Sequence, residues 1–401
     1  MTTTPPFSFP ARHYFYWFFE AREAPADAPV VMWMTGGPGC SSEVALFGEN
    51  GPCSVNEAGN DTITNKYSWN SKANVLYIDQ PAGTGFSYGL GLDHDEDGVA
   101  ADMYDFLQQF FKGHPQYQKS KFFAVGESYA GHYIPAVTHA IWQGNVQKKG
   151  LHINLKGTGV GNGLVDPLTQ YNYYVPMAKS TNHHKQLDNL TIGVMELATA
   201  PCVAAIKECN TAPETCILAT DICNLGILEP YTFTGMNPYD MRVKCAVPPL
   251  CYDFSNVGTF LARPDVMKKL GVDPKKASWQ DCNRLVAMAF ELAGDWMHSF
   301  ETKIPDQLAA GIDVLIYAGD QDFICNWLGN QAWANAMAWP HQKEYNTTKP
   351  VEWEANGKAA GTLQKSNGFH FLRVYEAGHM VPRDQPANAL TMINQFIDGT
   401  L

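Results

Sequence analysis

Four apolar residues, Phe122-Phe123-Ala124-Val125, run straight into Gly126-Glu127-Ser128-Tyr129-Ala130-Gly131, and Tyr129 to Trp142 then reads as a helix. A strand, a serine flanked by small residues and a helix in immediate succession leave the backbone few choices. The turn between them has to be tight, and it lifts the serine hydroxyl clear of the sheet. The last position of the Gly-x-Ser-x-Gly pattern is Ala130, a tolerated small residue followed by Gly131.

Other segments fit around this one. Residues 13–19 are aromatic and strand-like. Pro29 to Met34 and Asn74 to Asp79 are short apolar runs that read as buried strands, as do Ile312 to Tyr317 and Phe369 to Tyr375; Gly157 to Val160 is a weaker one. Val99, Met103, Phe106 and Phe110 recur at helical spacing, Asn356-Gly357 suits a hairpin turn, and Pro386 to Ile397 reads as a closing helix. Strands alternating with helices predict an α/β fold, a mostly parallel sheet wrapped on both sides. The rhythm breaks after about Pro167 and resumes near Ile312. With 401 residues, 45% apolar, the chain suits one large core with an insertion. The core is expected to be 1–166 and 297–401, and 167–296 a cysteine-rich cap over the strand ends.

Net charge is −12 and the pI about 5.4, which argues against nucleic acid and anionic membrane surfaces as partners. No uninterrupted run of 18 apolar residues occurs, so no membrane-spanning segment is expected. Residues 1–6 have neither a charged nor an apolar leader region. Ten cysteines, with sequons at Asn60, Asn189 and Asn346, favour a secretory route, ending in a lysosome or vacuole or outside the cell. Zinc is the rival reading of clustered cysteines, but no Cys-x-x-Cys occurs. Cys202, Cys209, Cys216 and Cys223 stand seven apart, wrong for a compact metal site. No metal or cofactor is expected. The acidic run Asp93 to Asp97 reads as a solvated helix start.

A serine hydroxyl becomes a nucleophile only with a base beside it and an acid to orient that base. In this kind of fold the partners follow in the order Ser, Asp, His, each just past a strand. Asp320 and Asp322 both follow one strand, and spacing alone does not choose between them; His379 follows the last. His132, His139 and His298 read as ordinary surface histidines. The oxyanion hole needs two backbone N–H groups. Tyr129 supplies one, and the glycine loop Thr35-Gly36-Gly37-Pro38-Gly39 the other.

Gly36 to Ser42, Gly126 to Tyr133, Ala318 to Trp327 and Gly378 to Pro382 together resemble the serine carboxypeptidases, with an α/β-hydrolase core. The resemblance runs from about residue 13 to the C-terminus and is weakest over about 180–240. It implies Ser128 as nucleophile, Asp322 as the acid, His379 as the base, and Gly37 and Tyr129 as oxyanion donors. The implied substrates are peptide or protein C-termini, cut one residue at a time. A free carboxylate then has to be held beside Glu127, which helps only if protonated, and Glu49 resembles the family's partner glutamate that would share the proton. Trp33, Thr35 and Gly36 match the carboxylate pocket, although many members have Asn where Thr35 stands. Met380 resembles the type that prefers apolar C-terminal residues, and Tyr252 is assigned to the same pocket. Resemblance also pairs Cys40 with Cys282 and Cys245 with Cys251, and leaves Cys325 free. The simplest pairing of the other four cysteines is Cys202–Cys223 with Cys209–Cys216, which leaves Cys53 as a second thiol. A homodimer is left open. Acyl transfer, a protective binding role and a plain esterase are the competing functions. The family's further strand ahead of His13 has no counterpart in 1–10, so the chain is expected to be shortened there.

Overall fold

The computed structural model describes residues 12–180 and 187–401, so the expected shortening over 1–10 lies outside it. Nine strands form one sheet: β1 (Tyr16–Phe19), β2 (Val30–Thr35), β3 (Asn74–Ile78), β4 (Phe122–Glu127), β5 (Leu155–Gly161), β6 (Asp313–Gly319), β7 (Val351–Ala355), β8 (Lys358–Ser366) and β9 (Phe369–Val374). Their order across the sheet is β1-β3-β2-β4-β5-β6-β9-β8-β7. The five inner pairings, from β3 to β9, are parallel. Both margins are antiparallel, β1 against β3 on one side and β9-β8-β7 on the other. This is the mostly parallel α/β sheet expected from the strand rhythm, in the α/β-hydrolase arrangement that the resemblance implied. The β7–β8 hairpin turns at Asn356 and Gly357, both at positive φ (54° and 72°), as a two-residue turn of this hand requires.

The inner strands are mostly apolar because both faces are covered. Alternate residues serve opposite layers. Val30, Met32, Met34 and Ala124 pack with Val99, Met103 and Leu107 of α1 (Glu96–Gly113) and Tyr133, Ile134 and Val137 of α2 (Ala130–Val146). Val31, Trp33, Phe123 and Val125 face the other way, and their layer includes Val381 and Met392, Ile393 and Phe396 of the closing helix (Pro386–Asp398). Each such side chain contributes about 1.5–3 kcal/mol on burial. The layers therefore fix β4 firmly beneath its serine.

Between β5 and β6 the chain builds helices α3 (Asn189–Cys209), α4 (Cys216–Cys223) and α5 (Arg284–Ala293), with a short hairpin, Met236–Asn237 paired with Asp240–Lys244. Cys202–Cys223 and Cys209–Cys216 join α3 to α4, Cys245–Cys251 closes a small loop, and Cys40–Cys282 ties the glycine loop to the start of α5. Cys53 and Cys325 are thiols. The sulfurs of Cys209 and Cys216 approach His298, but they are spent on a disulfide. Asn60, Asn189 and Asn346 are all exposed.

One expectation is qualified and another corrected. Helix α3 reaches a mean hydropathy of 1.5 over 18 residues, with only 17% of that window buried, so one helix does have the length and apolarity to cross a membrane. Polar residues interrupt it, and a search for an unbroken apolar run therefore passes it over. Its disulfides and the buried Met195, Cys202, Ile206 and Cys209 seat one face on the protein. The run 93–97 is also not simply a solvated helix start. Asp95 does cap α1, accepting from the Gly98 N–H at 2.8 Å, but Asp93 and Glu96 are buried.

Candidate active site

Ser128 follows β4 at φ 67°, a left-handed conformation that is strained for a side-chain-bearing residue. Three backbone bonds hold it there: its N–H donates to the Gly161 carbonyl, and its own carbonyl accepts from Gly131 and Leu164. A β-carbon on Gly126 would stand 2.6 Å from the Ala130 methyl. The glycine at 126 thus makes room for alanine at 130, and the imperfect motif closes a normal elbow.

His379 Nδ1 lies 2.8 Å from Asp322 Oδ2. That carboxylate also accepts from Asn162 Nδ2 at 2.9 Å and from the N–H groups of Ile324 and Cys325, both at 3.2 Å. Four donors thus converge on one fully buried carboxyl and fix its orientation. Asp320, the competitor, is engaged elsewhere, by Arg373 at 2.9 Å and the Glu376 N–H at 2.9 Å. Ser128 and His379 line one cavity of about 720 Å³. No hydrogen bond joins Ser128 Oγ to His379 Nε2 in this conformation; such contacts often close only around substrate.

The glycine loop lies directly on the elbow. A β-carbon at Gly36 would fall 2.3 Å from the Tyr129 nitrogen and 2.7 Å from the Glu127 carbonyl oxygen. Only glycine lets the loop come this close, and the approach sets the Gly37 and Tyr129 amides near the serine. Among the described residues, neither amide donates to another backbone group outside the helices and strands. Two such N–H groups are what a developing oxyanion requires.

Glu127 is buried beside Ser128, and Glu49, also buried, is its neighbouring carboxyl; both Glu49 oxygens and Glu127 Oε2 lack a hydrogen-bond partner among the described residues. Desolvation raises both groups, Glu49 to about 7, and the neighbouring Glu49 raises Glu127 further, well above the usual carboxylate range. Thr35 lines the cavity. Its Oγ1 accepts from Trp33 Nε1 at 2.9 Å, so its own proton stays available to an acceptor. Trp33 is fully buried against Trp69 and does not line the cavity; it acts through Thr35. Tyr252, Phe254, Leu250 and Met380 form an apolar wall.

Several contributors went unseen in the sequence. Asn162, at φ 40°, joins the acid loop to β5, since its Oδ1 accepts from the Gly319 N–H at 3.0 Å. The Gly-Asn-Gly after a strand was the available signal. The short cap hairpin clamps both catalytic loops. The Tyr239 carbonyl accepts from the His379 N–H at 2.8 Å, and Arg242 forks onto Asp240 at 2.8 Å while reaching Asp384 at 3.2 Å. His132 is no surface histidine. It is fully buried, with Nδ1 2.6 Å from the Leu164 carbonyl and its ring stacked on Tyr129; burial lowers its pKa to about 4. His139 and His298 are half-buried. Tyr129 also donates its hydroxyl to Asp295 at 2.6 Å.

A family model described as serine carboxypeptidase matches residues 9–399. The chain is 45% identical to serine carboxypeptidase-like 48 of Arabidopsis thaliana over 399 residues, 98% of this chain and 76% of that protein. It is 43% identical to carboxypeptidase Y homolog A of Leptosphaeria maculans, covering 97% and 71% respectively. Among solved structures, a prohormone-processing carboxypeptidase of Saccharomyces cerevisiae superposes with a TM-score of 0.86 at 28% identity, over 96% of this chain and 86% of that one.

Proposed function

Since the chain belongs to the serine carboxypeptidase family, a group of peptide hydrolases, we propose that Ser128, His379 and Asp322 cut the last peptide bond of polypeptides through an acyl-enzyme. His379 takes the Ser128 proton as Oγ attacks the carbonyl, and the Gly37 and Tyr129 N–H groups stabilise the oxyanion. The proton then passes to the departing amino acid, and water repeats the sequence on the acyl-enzyme. Asp322, fixed by its donors, holds the imidazole in place. Residues 167–296 are read as a cap that completes this site.

Glu127 carries the reading. A buried carboxyl beside the nucleophile is useless to an esterase, but as a protonated donor it binds the carboxylate of a peptide terminus, with the Thr35 hydroxyl as a second donor. Glu49 helps keep that proton in place. As pH rises and the pair ionises, the site repels its substrate, so activity is expected to favour acid. Mass spectrometry of a peptide incubated with the protein tests this. Stepwise loss from the C-terminus, absent in Ser128→Ala, is the expected outcome. Glu127→Gln carries a permanent donor and should flatten the pH dependence of KM; an unchanged pH profile sinks the shared proton.

The wall of Tyr252, Phe254, Leu250 and Met380 supports a preference for apolar terminal residues. Matched peptides ending in Phe or Leu should be cut faster than one ending in Arg; equal rates refute it. Acyl transfer to another nucleophile uses the same groups, and product analysis with an added amine or alcohol separates it from hydrolysis. Four disulfides and three exposed sequons support a secretory route, with a lysosome, a vacuole or the outside of the cell as destination.

A further inference from the structure

Helix α5 has two apolar stripes. Val286 and Phe290 point inward and are fully buried. Leu285, Met288 and Leu292, at i, i+3 and i+7, share another face and are 67%, 40% and 64% exposed. An inward stripe is all that anchoring the helix requires, so the outer one has no use in the fold. Helix α4 packs against α5 and exposes Leu218 nearby.

The outer stripe borders the catalytic cavity. Arg284, Ala287, Met288 and Glu291 all line it together with Ser128 and His379, and Met288 belongs to both faces. The relation is rigid. Cys282 is bonded to Cys40 of the glycine loop, and the Asn283 N–H donates to the Gly39 carbonyl at 2.8 Å. Asn283 Oδ1 caps α5 through the Leu285 N–H, its Nδ2 reaches the Gly83 carbonyl, and Val286 abuts Gly39. The stripe is therefore fixed relative to the oxyanion amides.

An exopeptidase site is closed at the carboxylate end, here by the buried Glu127 and Glu49, so the rest of a polypeptide has to leave by the open side. Of the cavity's exposed lining residues, Arg284, Met288 and Glu291 lie on α5 and Pro249 lies on the 245–251 loop, so α5 forms most of that side. We propose that Leu285, Met288 and Leu292 form a platform for apolar side chains of a polypeptide substrate, at about the second to fourth residues upstream of the bond cut. The span from Leu285 to Leu292 is about 10 Å along the helix, the length of about three extended residues. The proposal rests on the active-site reading above. It adds that long substrates are selected by sequence upstream of the reacting bond, as well as by their last residue.

The test compares two N-blocked hexapeptides with the same last two residues, one with Leu and one with Ser at the preceding three positions, alongside an N-blocked dipeptide. The full chain is used, with the double variant Leu285→Ser/Leu292→Ser. The wild type should cut the leucine peptide with a kcat/KM about tenfold above the serine peptide, the effect of partly burying two or three such side chains. The variant should lose that ratio and cut the dipeptide as before. Equal rates on the two hexapeptides in the wild type, or a ratio that survives in the variant, overturn the proposal. So does a wild-type dimer that dissociates in the variant with the ratio intact, since the stripe would then be a contact between copies. The wild type's activity on the dipeptide, and its loss in Ser128→Ala, report separately on the active-site reading.

Discussion

At the scale of single residues, the informative position is Thr35, where a hydroxyl stands for the amide many relatives carry. The Trp33 indole donates to its oxygen, which leaves the hydroxyl proton to the substrate carboxylate. A hydrogen bond to a charged group is worth about 1.5–3 kcal/mol. Thr35→Val should therefore lower kcat/KM on free-acid peptides by about tenfold or more, mostly through KM. The C-terminally amidated form of the same peptide is the control, and an equal loss on both would show that Thr35 does not serve the carboxylate. The same scale shows where sequence reading stops. Ser128 and His379 could be picked out as the proposed nucleophile and base because each follows a strand in a fixed order. Asp320 and Asp322 were not separable, because both follow the same strand and only contacts from distant segments distinguish them, Arg373 and Glu376 on the first and Asn162 and His379 on the second.

Among elements, the glycine loop after β2 matters most, for it has to lie almost in contact with the elbow after β4. Its glycines could be read as a functional turn, but which of them tolerates no side chain could not, since that depends on a neighbour about ninety residues away. The structure shows that none of the three tolerates one: Gly36 is the one that meets the elbow, and Gly37 and Gly39 stand at positive φ (117° and 83°) with close contacts of their own. In Gly36→Ala the new methyl would meet backbone rather than a flexible side chain, so the loop must retreat and the Gly37 amide with it. Loss of one oxyanion donor costs about 100- to 1,000-fold in kcat. That fall, with KM little changed and the thermal melt within a few degrees of wild type, is the expected outcome; full activity would remove the loop from the oxyanion hole. The cap hairpin lay beyond sequence reading altogether. One of its strands is two residues long, too short for an alternation to show. Arg242 reaches partners 134 and 142 residues away, and no local pattern records them.

For the whole molecule, acidity is the trait most plainly legible, but sequence counts charges without saying which are buried. The run 93–97 illustrates the difference: Glu96 is buried with neither oxygen hydrogen-bonded among the described residues; desolvation and the charge of Asp295 raise it, and desolvation with the charges of Asp95 and Asp97 raises Asp295 to about 7. Asp93 is pushed up to about 6 and Glu301 to about 7, chiefly by burial, and Asp79 beside Glu43 and the Glu49–Glu127 pair are raised in the same sense. A carboxyl whose folded pKa exceeds its unfolded value adds stability that is complete below the unfolded value, near 4, and is lost as pH climbs through the folded one. Asp188, Asp253 and Asp265 are lowered and act in the opposite sense, but all three are fully exposed and screened by solvent. A net charge of −12 at neutral pH adds self-repulsion that acid relieves. The protein should therefore melt several degrees higher at pH 4.5 than at pH 7.5. Replacing Glu96 by Gln, which keeps the shape and removes one ionisable group, should reduce that difference mainly by raising the melting temperature at pH 7.5. A melting temperature that instead climbs from pH 4.5 to 7.5 would mean that these buried carboxyls are charged and paired in the folded protein.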